Sequence, residues 1–154
     1  MTSLIPTNGP SGLDVRTETV RLTCTDALVA GDLVTLTLAA GGYAACTKSA
    51  TADSTPDHII GVATATVAAG ATGTITMKGM VEISRHDTGA AGLAMIVGGA
   101  AGRVTAAPTN PTDAGSAYVK VVGIALTTAA GSPTAGGLAT VLFDGVNGIG
   151  STNN

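Results

Sequence analysis

Two histidines, two cysteines and one closely spaced pair of aspartates are the residues of this chain whose types could do chemistry. His86 lies in Arg85-His86-Asp87, where a carboxylate beside an imidazole could orient it as a general base. The cluster follows an apolar strand pattern, so it reads as a solvated loop with a local hydrogen bond between Asp87 and the imidazole. His58 follows Asp57 and precedes an apolar run, and it marks a strand entry. Asp53 and Asp57 have the spacing of oxygen donors for a hard cation, without the calcium-loop pattern and its terminal Glu.

Cys24 and Cys46 show no CxxC spacing, which leaves no metal or redox motif. They read as two small, half-buried thiols in a reducing compartment, or as a single bridge between two strands. No HExxH, GxSxG, Walker A or GxGxxG element occurs. The run Gly98-Gly99-Ala100-Ala101-Gly102 lacks the Lys and the strand-to-helix context of a phosphate loop and is turn chemistry. Tyr43, Tyr118 and Phe143 are too far apart in sequence for a stacking platform, and each is expected to fill the interior. No catalytic residue, cofactor-binding residue or metal ligand is expected, hence no cofactor and no enzyme activity.

The elements around these residues are built from small side chains. The chain has 154 residues, 22 of them Gly, with 11 % charged and 2 % aromatic residues. That length favours one domain, and the composition rules out a bulky aromatic core. Mean hydropathy is +0.44, which argues against a disordered chain. Net charge is −3, and the basic residues stand singly, so no stripe exists to neutralise phosphates and no direct nucleic-acid partner is expected. The long uncharged stretches His58–Met77 and Val121–Phe143 are broken by Thr, Ser and Gly, so they read as strands and turns, with no membrane partner. The start of the chain shows neither a basic region nor a continuous apolar run of a secretory signal.

Period-two patterns dominate. Asp14–Thr25 alternates with one slip near Val20, as at a bulge. Further strands are expected at Leu33–Leu38, Tyr43–Thr47, Ile59–Val67, Thr74–Met77, Met80–Ser84, Leu93–Val97, Arg103–Ala106, Tyr118–Leu126 and Leu138–Phe143. Gly-containing turns separate most of them. The one helical alternative is Thr88–Val97, capped by Asp87 or Thr88 and weakened by Gly89 and Gly92.

An internal repeat organises these strands. Ile60-Gly61-Val62-Ala63 is matched by Val122-Gly123-Ile124-Ala125. The closing elements Gly73–Gly79 and Leu138–Gly145 each end on Gly. Upstream, Asp32-Leu33-Val34-Thr35 with Gly42-Tyr43-Ala44-Ala45 is echoed by Gly92-Leu93-Ala94-Met95 with Gly102-Arg103-Val104-Thr105. Gly inside an apolar strand permits a bend or a close backbone approach, which makes Gly61, Gly79, Gly123 and Gly145 structural repeat glycines. The expected fold is all-β, a small antiparallel β-barrel or sandwich built from two related halves, with an extended N-terminal arm. The expected organisation is an arm at 1–13, a barrel domain at 14–146 with copies over about 26–84 and 90–146, and a flexible tail at 147–154.

The order Gly31-Asp32-Leu33-Val34, Ile60-Gly61-Val62-Ala63, Gly73–Gly79, Gly102-Arg103-Val104-Thr105, Val122-Gly123-Ile124-Ala125 and Ala139–Gly145 resembles the small β-barrel capsid decoration, or cement, proteins of tailed bacteriophages. The resemblance spans Thr19 to Gly145. It implies a virion structural protein made in the host bacterial cytoplasm that ends on the capsid exterior. Its partners would be the major capsid protein and further copies of itself, usually as a homo-oligomer and often a homotrimer. A core of Ala, Val and Thr buries little area per residue at about 25 cal/mol per Å², so a lone subunit is expected to be modestly stable and completed by association. Leu4, Ile5 and Pro6 sit in a polar, Gly- and Pro-containing leader and form the candidate capsid or oligomer contact, an arm able to add to a sheet edge. The alternative is a β-rich, surface-exposed ligand-binding or adhesin-like module, which would need a pocket or an exposed aromatic face.

Overall fold

The computed structural model describes residues 16–39, 42–50, 59–87, 89–107, 119–128, 137–146 and 150–152. Leu4, Ile5, Pro6, His58, Asp53, Asp57 and Tyr118 lie outside them. The described residues are all-β, without a helix: β1 (Glu18–Cys24), β2 (Leu33–Ala39), β3 (Gly42–Lys48), β4 (Ile60–Ala63), β5 (Thr72–Arg85), β6 (Ala94–Val97), β7 (Val104–Ala106), β8 (Val119–Val121), β9 (Gly123–Ala125), β10 (Gly137–Asp144) and β11 (Gly150–Thr152).

Two closed rings share the long strand β5. In the first, the order β1-β3-β2-β4-β5 closes by pairing of β1 with β5. In the second, the order β5-β10-β9-β6-β7 closes by pairing of β7 back to β5. All neighbours are antiparallel except one parallel seam per ring. That seam is Thr23 opposite Ala45 and Cys24 opposite Cys46 in the first, and Arg85 opposite Val104 in the second. Closing both rings hides the strand edges that an open sheet of this size would expose. Strands β8 and β11 form a separate antiparallel pair.

The rings repeat one another hydrogen bond by hydrogen bond. Gly31 N–H donates to Ala63 C=O at 2.8 Å, and Gly92 N–H to Ala125 C=O at 2.7 Å. Thr25 N–H donates to Cys46 C=O at 2.9 Å, and His86 N–H to Val104 C=O at 2.8 Å. Leu33 stands opposite Val62 and Ala94 opposite Ile124, so Leu33 corresponds to Ala94. The sequence echo that matched Leu33 with Leu93 is therefore one residue out of register. The match of Ala44 with Val104 is displaced by two, because it is Cys46 that stands where Val104 does. Short side chains in both copies allow such slips to look equally good in sequence.

Four local expectations change. The strand expected over Tyr118–Leu126 holds two, β8 and β9, which pair in different sheets. The stretch offered as a helix from Thr88 to Val97 instead turns at Gly92, with φ +86°, and then enters β6. The bulge expected near Val20 lies between Glu18 and Thr19. The segments Thr74–Met77 and Met80–Ser84 are one strand, β5, which passes from ring to ring at Gly79. Gly79 has φ +124°, and a Cβ there would lie 2.9 Å from Thr17 Cα, so the crossover needs a residue without a side chain.

Two apolar clusters form the interior. One lies in the first ring and holds Leu22, Leu28, Leu36, Ile75 and Met77. The other fills the second ring with Ile83, Met95, Val104, Val141 and Phe143, and it includes Leu33, Ile60 and Val62 from strands of the first. Backbone bonds reinforce that joint: Leu33 N–H to Gly102 C=O at 2.8 Å, Ser84 N–H to Gly31 C=O at 2.9 Å and Ile60 N–H to Gly145 C=O at 3.1 Å.

Candidate interaction surface

Two of the charged residues beside His86 are spent on closing the second ring, Arg85 and Asp87. Arg85 ends β5 at the parallel seam and is fully buried. Its Nε is paired with Asp87 Oδ1, and its Nη1 donates to Ala90 C=O at 3.3 Å. Asp87 also reaches across the seam to β7, accepting from Thr105 Oγ1 at 2.9 Å and from Ala106 N–H at 2.5 Å. Burial pushes the Asp87 carboxyl up, but hydrogen bonds from Ala106, Gly89 and Thr105 and the Arg85 guanidinium outweigh it and hold the group below its ordinary value. The cluster read as a solvated loop is thus a clamp of a buried arginine on a half-buried carboxylate, which serves Arg85 and β7 rather than the imidazole. The ring packs against Gly99, and His86 Nδ1 is buried without a partner.

At the corresponding place in the first ring, Asp26 Oδ2 accepts from Lys48 N–H at 2.8 Å. The repeat of Thr25-Asp26 by His86-Asp87 is the one sequence signal that could have identified the clamp. Cys24 and Cys46 are fully buried rather than half-buried, and their sulfurs lie 2.7 Å apart. Burial, and then the Cys24 thiol beside it, push the Cys46 thiol up to about 12. Lys120 is also buried and donates to Gly145 C=O at 2.6 Å and to Val146 C=O at 2.9 Å. Burial lowers its affinity for a proton, and the nearby Asp144 carboxylate opposes that shift. Among the described residues no group of three or more His, Cys, Asp and Glu side chains could hold a metal ion.

The four repeat glycines sit at close approaches. A Cβ on Gly61 would overlap Ile75 Cγ2, and one on Gly123 would overlap Val141 Cγ1. A Cβ on Gly145 would run into the Ile60 carbonyl oxygen. These residues shape the rings, and the structure does not bring them together as a site.

One place on the outer surface gathers exposed apolar side chains. An open cleft of about 280 Å³ lies where the rings meet, lined by Ala30, Gly31, Ala63, Met80, Val81 and Leu138, with Glu82 and Thr64 at its polar side. Met80 is 38 % exposed and Leu138 41 % exposed, and the neighbouring Val29 is 55 % exposed. Strand pairing explains why they gather. Met80 and Leu138 belong to β5 and β10, which run antiparallel with Leu142 opposite Met80 and Leu138 opposite Ser84, so alternation turns them outward together. The Leu138 side chain then leans over Gly31, where a Cβ would come within 2.6 Å of its Cδ2. Large exposed apolar side chains grouped beside a joint mark a contact surface more often than a solvated one.

No family model matches the chain, and no curated protein matches it. Among solved structures, the fold is similar to the head fiber gp8.5 N base of bacteriophage phi29, with a TM-score of 0.55 and 16 % sequence identity. The superposition covers 88 % of this chain and 99 % of that one. At this identity the likeness is one of fold.

Proposed function

We propose that this chain is a structural protein of a tailed-bacteriophage virion that binds the outer surface of the assembled capsid and stabilises it, without catalysis. The observation that carries the reading is the fold shared with a phage head fiber component over 88 % of the chain. The chain's own repeat motifs resemble capsid decoration proteins, and that resemblance points the same way. The partners are the major capsid protein and further copies of the chain, in a homo-oligomer of the trimeric kind that the resemblance implies. The protein is made in the host cytoplasm and ends on the capsid exterior.

The chemistry supports a role in contact. Arg85 and Asp87 are committed to holding a ring shut, whereas Met80 and Leu138 are left outside at one cleft, with exposed Val29 next to Ala30 of its lining. Burying that cleft against a shell protein would stabilise both partners, and the leader with Leu4, Ile5 and Pro6 would add a second, extended contact. Repetition of weak sites through an oligomer then yields avidity on a lattice. The test is to incubate purified protein with expanded capsids, recover them by sedimentation, and measure the mass of the free protein by light scattering. Saturable co-sedimentation and an oligomeric mass are expected. Failure to co-sediment, with a monomeric mass, would overturn the reading in favour of a ligand-binding module.

A further inference from the structure

A short parallel seam closes each ring, and the two rings fasten it differently. In the second ring Arg85 stands at the seam opposite Val104, and Asp87 ties Arg85 to Thr105 and Ala106 of β7. In the first ring the residue in the place of Arg85 is Cys24, and the residue in the place of Val104 is Cys46. Asp26 still accepts from Lys48 N–H, but with Cys24 in the arginine's place the ionic half of the clamp is gone. Two thiols face one another there instead, fully buried and 2.7 Å apart.

We propose that Cys24 and Cys46 are an oxidisable pair, joined by a disulfide that fastens the first ring at the position the Arg85–Asp87 clamp fastens in the second. Directly opposed residues on neighbouring strands have backbones about 4.8 Å apart. That lies inside the span of about 4.4–6.8 Å between Cα atoms that a disulfide bridges. The oxidant is a low-molecular-weight disulfide such as oxidised glutathione. One cysteine thiolate attacks it and releases a first glutathione thiolate. The second cysteine then displaces the other glutathione from the mixed disulfide, so two electrons pass from the protein thiols to glutathione and their two protons end on the released thiols. Because both sulfurs are buried, exchange proceeds when the seam opens, during folding or in a transient opening, and stops once the ring has closed. The thiols stay reduced in a cytoplasm and oxidise outside it. That change of compartment rests on the virion reading above, whereas the pairing itself does not.

The experiment uses the full chain. Reduced protein is compared with protein held in moderate denaturant with oxidised glutathione and then refolded, and both are alkylated under full denaturation and weighed. The expected product is a monomer lacking the two thiol hydrogens, with neither cysteine alkylated. The bond closes over a separation of 22 residues, for which chain entropy predicts a melting temperature higher by about 10 °C, reversed by dithiothreitol. Cys24→Ala and Cys46→Ala should each abolish the redox-dependent shift. Two alkylatable thiols after oxidation, a persistent glutathione adduct, a disulfide-linked dimer, or a bridged monomer that melts lower would overturn the proposal. Capsid binding plays no part in these readouts, so a failed co-sedimentation leaves the result standing.

Discussion

Ile75 fills the space that a side chain on Gly61 would need, and one ring later Val141 does the same to Gly123. The branched residue projects from the closing strand onto a neighbour that must be bare, so the I/V-Gly-V/I-Ala strand and its closing strand fit as a pair. Gly61→Ala and Gly123→Ala are each expected to destabilise the fold by about 1–3 kcal/mol through overpacking. Gly145→Ala should cost the most, because its Cβ would run deepest into backbone, at the Ile60 carbonyl, whereas Gly61 meets only side chains and Gly123 meets Val141 and, less closely, the Leu142 carbonyl. Urea unfolding of the three variants checks this. In an Ile75→Ala background, which removes the overlapping Cγ2, Gly61→Ala should cost clearly less, and an equal cost in both backgrounds would show that the fit is not the cause.

The Arg85–Asp87 clamp gives stability a direction in pH. The folded Asp87 carboxyl is held below its ordinary value. Its contribution is therefore fully present above the unfolded carboxylate value of about 4, and it is lost as pH falls through the lower folded value. Asp87→Asn should flatten the acid limb of the stability curve. At neutral pH it should cost about 3 kcal/mol, because the Arg85 guanidinium is then left buried without its counter-charge. Midpoints of urea unfolding between neutral pH and about pH 2.5, for the wild type and the variant, test both statements. An unchanged acid limb would show that other carboxylates set it.

Much of the architecture was legible because it is local. Val-Gly-Ile-Ala after Ile-Gly-Val-Ala reveals a repeat, and alternation reveals strands. A small closed barrel was expected from these patterns, but the parallel pairs that shut the rings, such as Cys24 with Cys46, were not, since no turn signal joins them. The register of the weaker echoes was not legible either. Leu33 aligns with Leu93 by letter but with Ala94 by hydrogen bonding, and in strands of Ala, Val and Leu the letters carry little weight. Arg85 was misread because a charge next to His86 and Asp87 looks solvated. Its burial depends on Asp87 also bridging to β7, a contact between residues about 18 positions apart that only the closed ring creates. The cleft escaped notice for a related reason: Met80 and Leu138 come together only through the pairing of β5 with β10.

If the cleft contacts the capsid, a charge there should abolish binding without unfolding the subunit. Met80→Glu places a carboxylate on a side chain that is already 38 % exposed, so stability should change by less than about 0.5 kcal/mol. Co-sedimentation with capsids should fall at least about tenfold, since burying an unpaired carboxylate is costly. Deleting residues 1–13, which carry Leu4, Ile5 and Pro6, is expected to weaken capsid binding or oligomer formation. Unchanged capsid occupancy and oligomer mass in the deletion variant would remove the arm from the proposal, and unchanged occupancy in Met80→Glu would remove the cleft.

The two rings should unfold as one unit in spite of their repetition. Ring-by-ring melting would need an interface that separates cleanly, yet Leu33, Ile60 and Val62 lie inside the core cluster of the second ring. Strand β5 belongs to both rings, and melting either one removes half of its neighbours. Calorimetry should give a single transition whose calorimetric and van't Hoff enthalpies agree. Phe143→Ala, in the second ring, should lower that one transition by about 3–5 kcal/mol in stability. Leu33→Ala, in a strand of the first ring, should move the same transition, because its side chain packs in the same cluster. Two resolved transitions, with Leu33→Ala shifting only one, would show that the shared strand does not couple the rings.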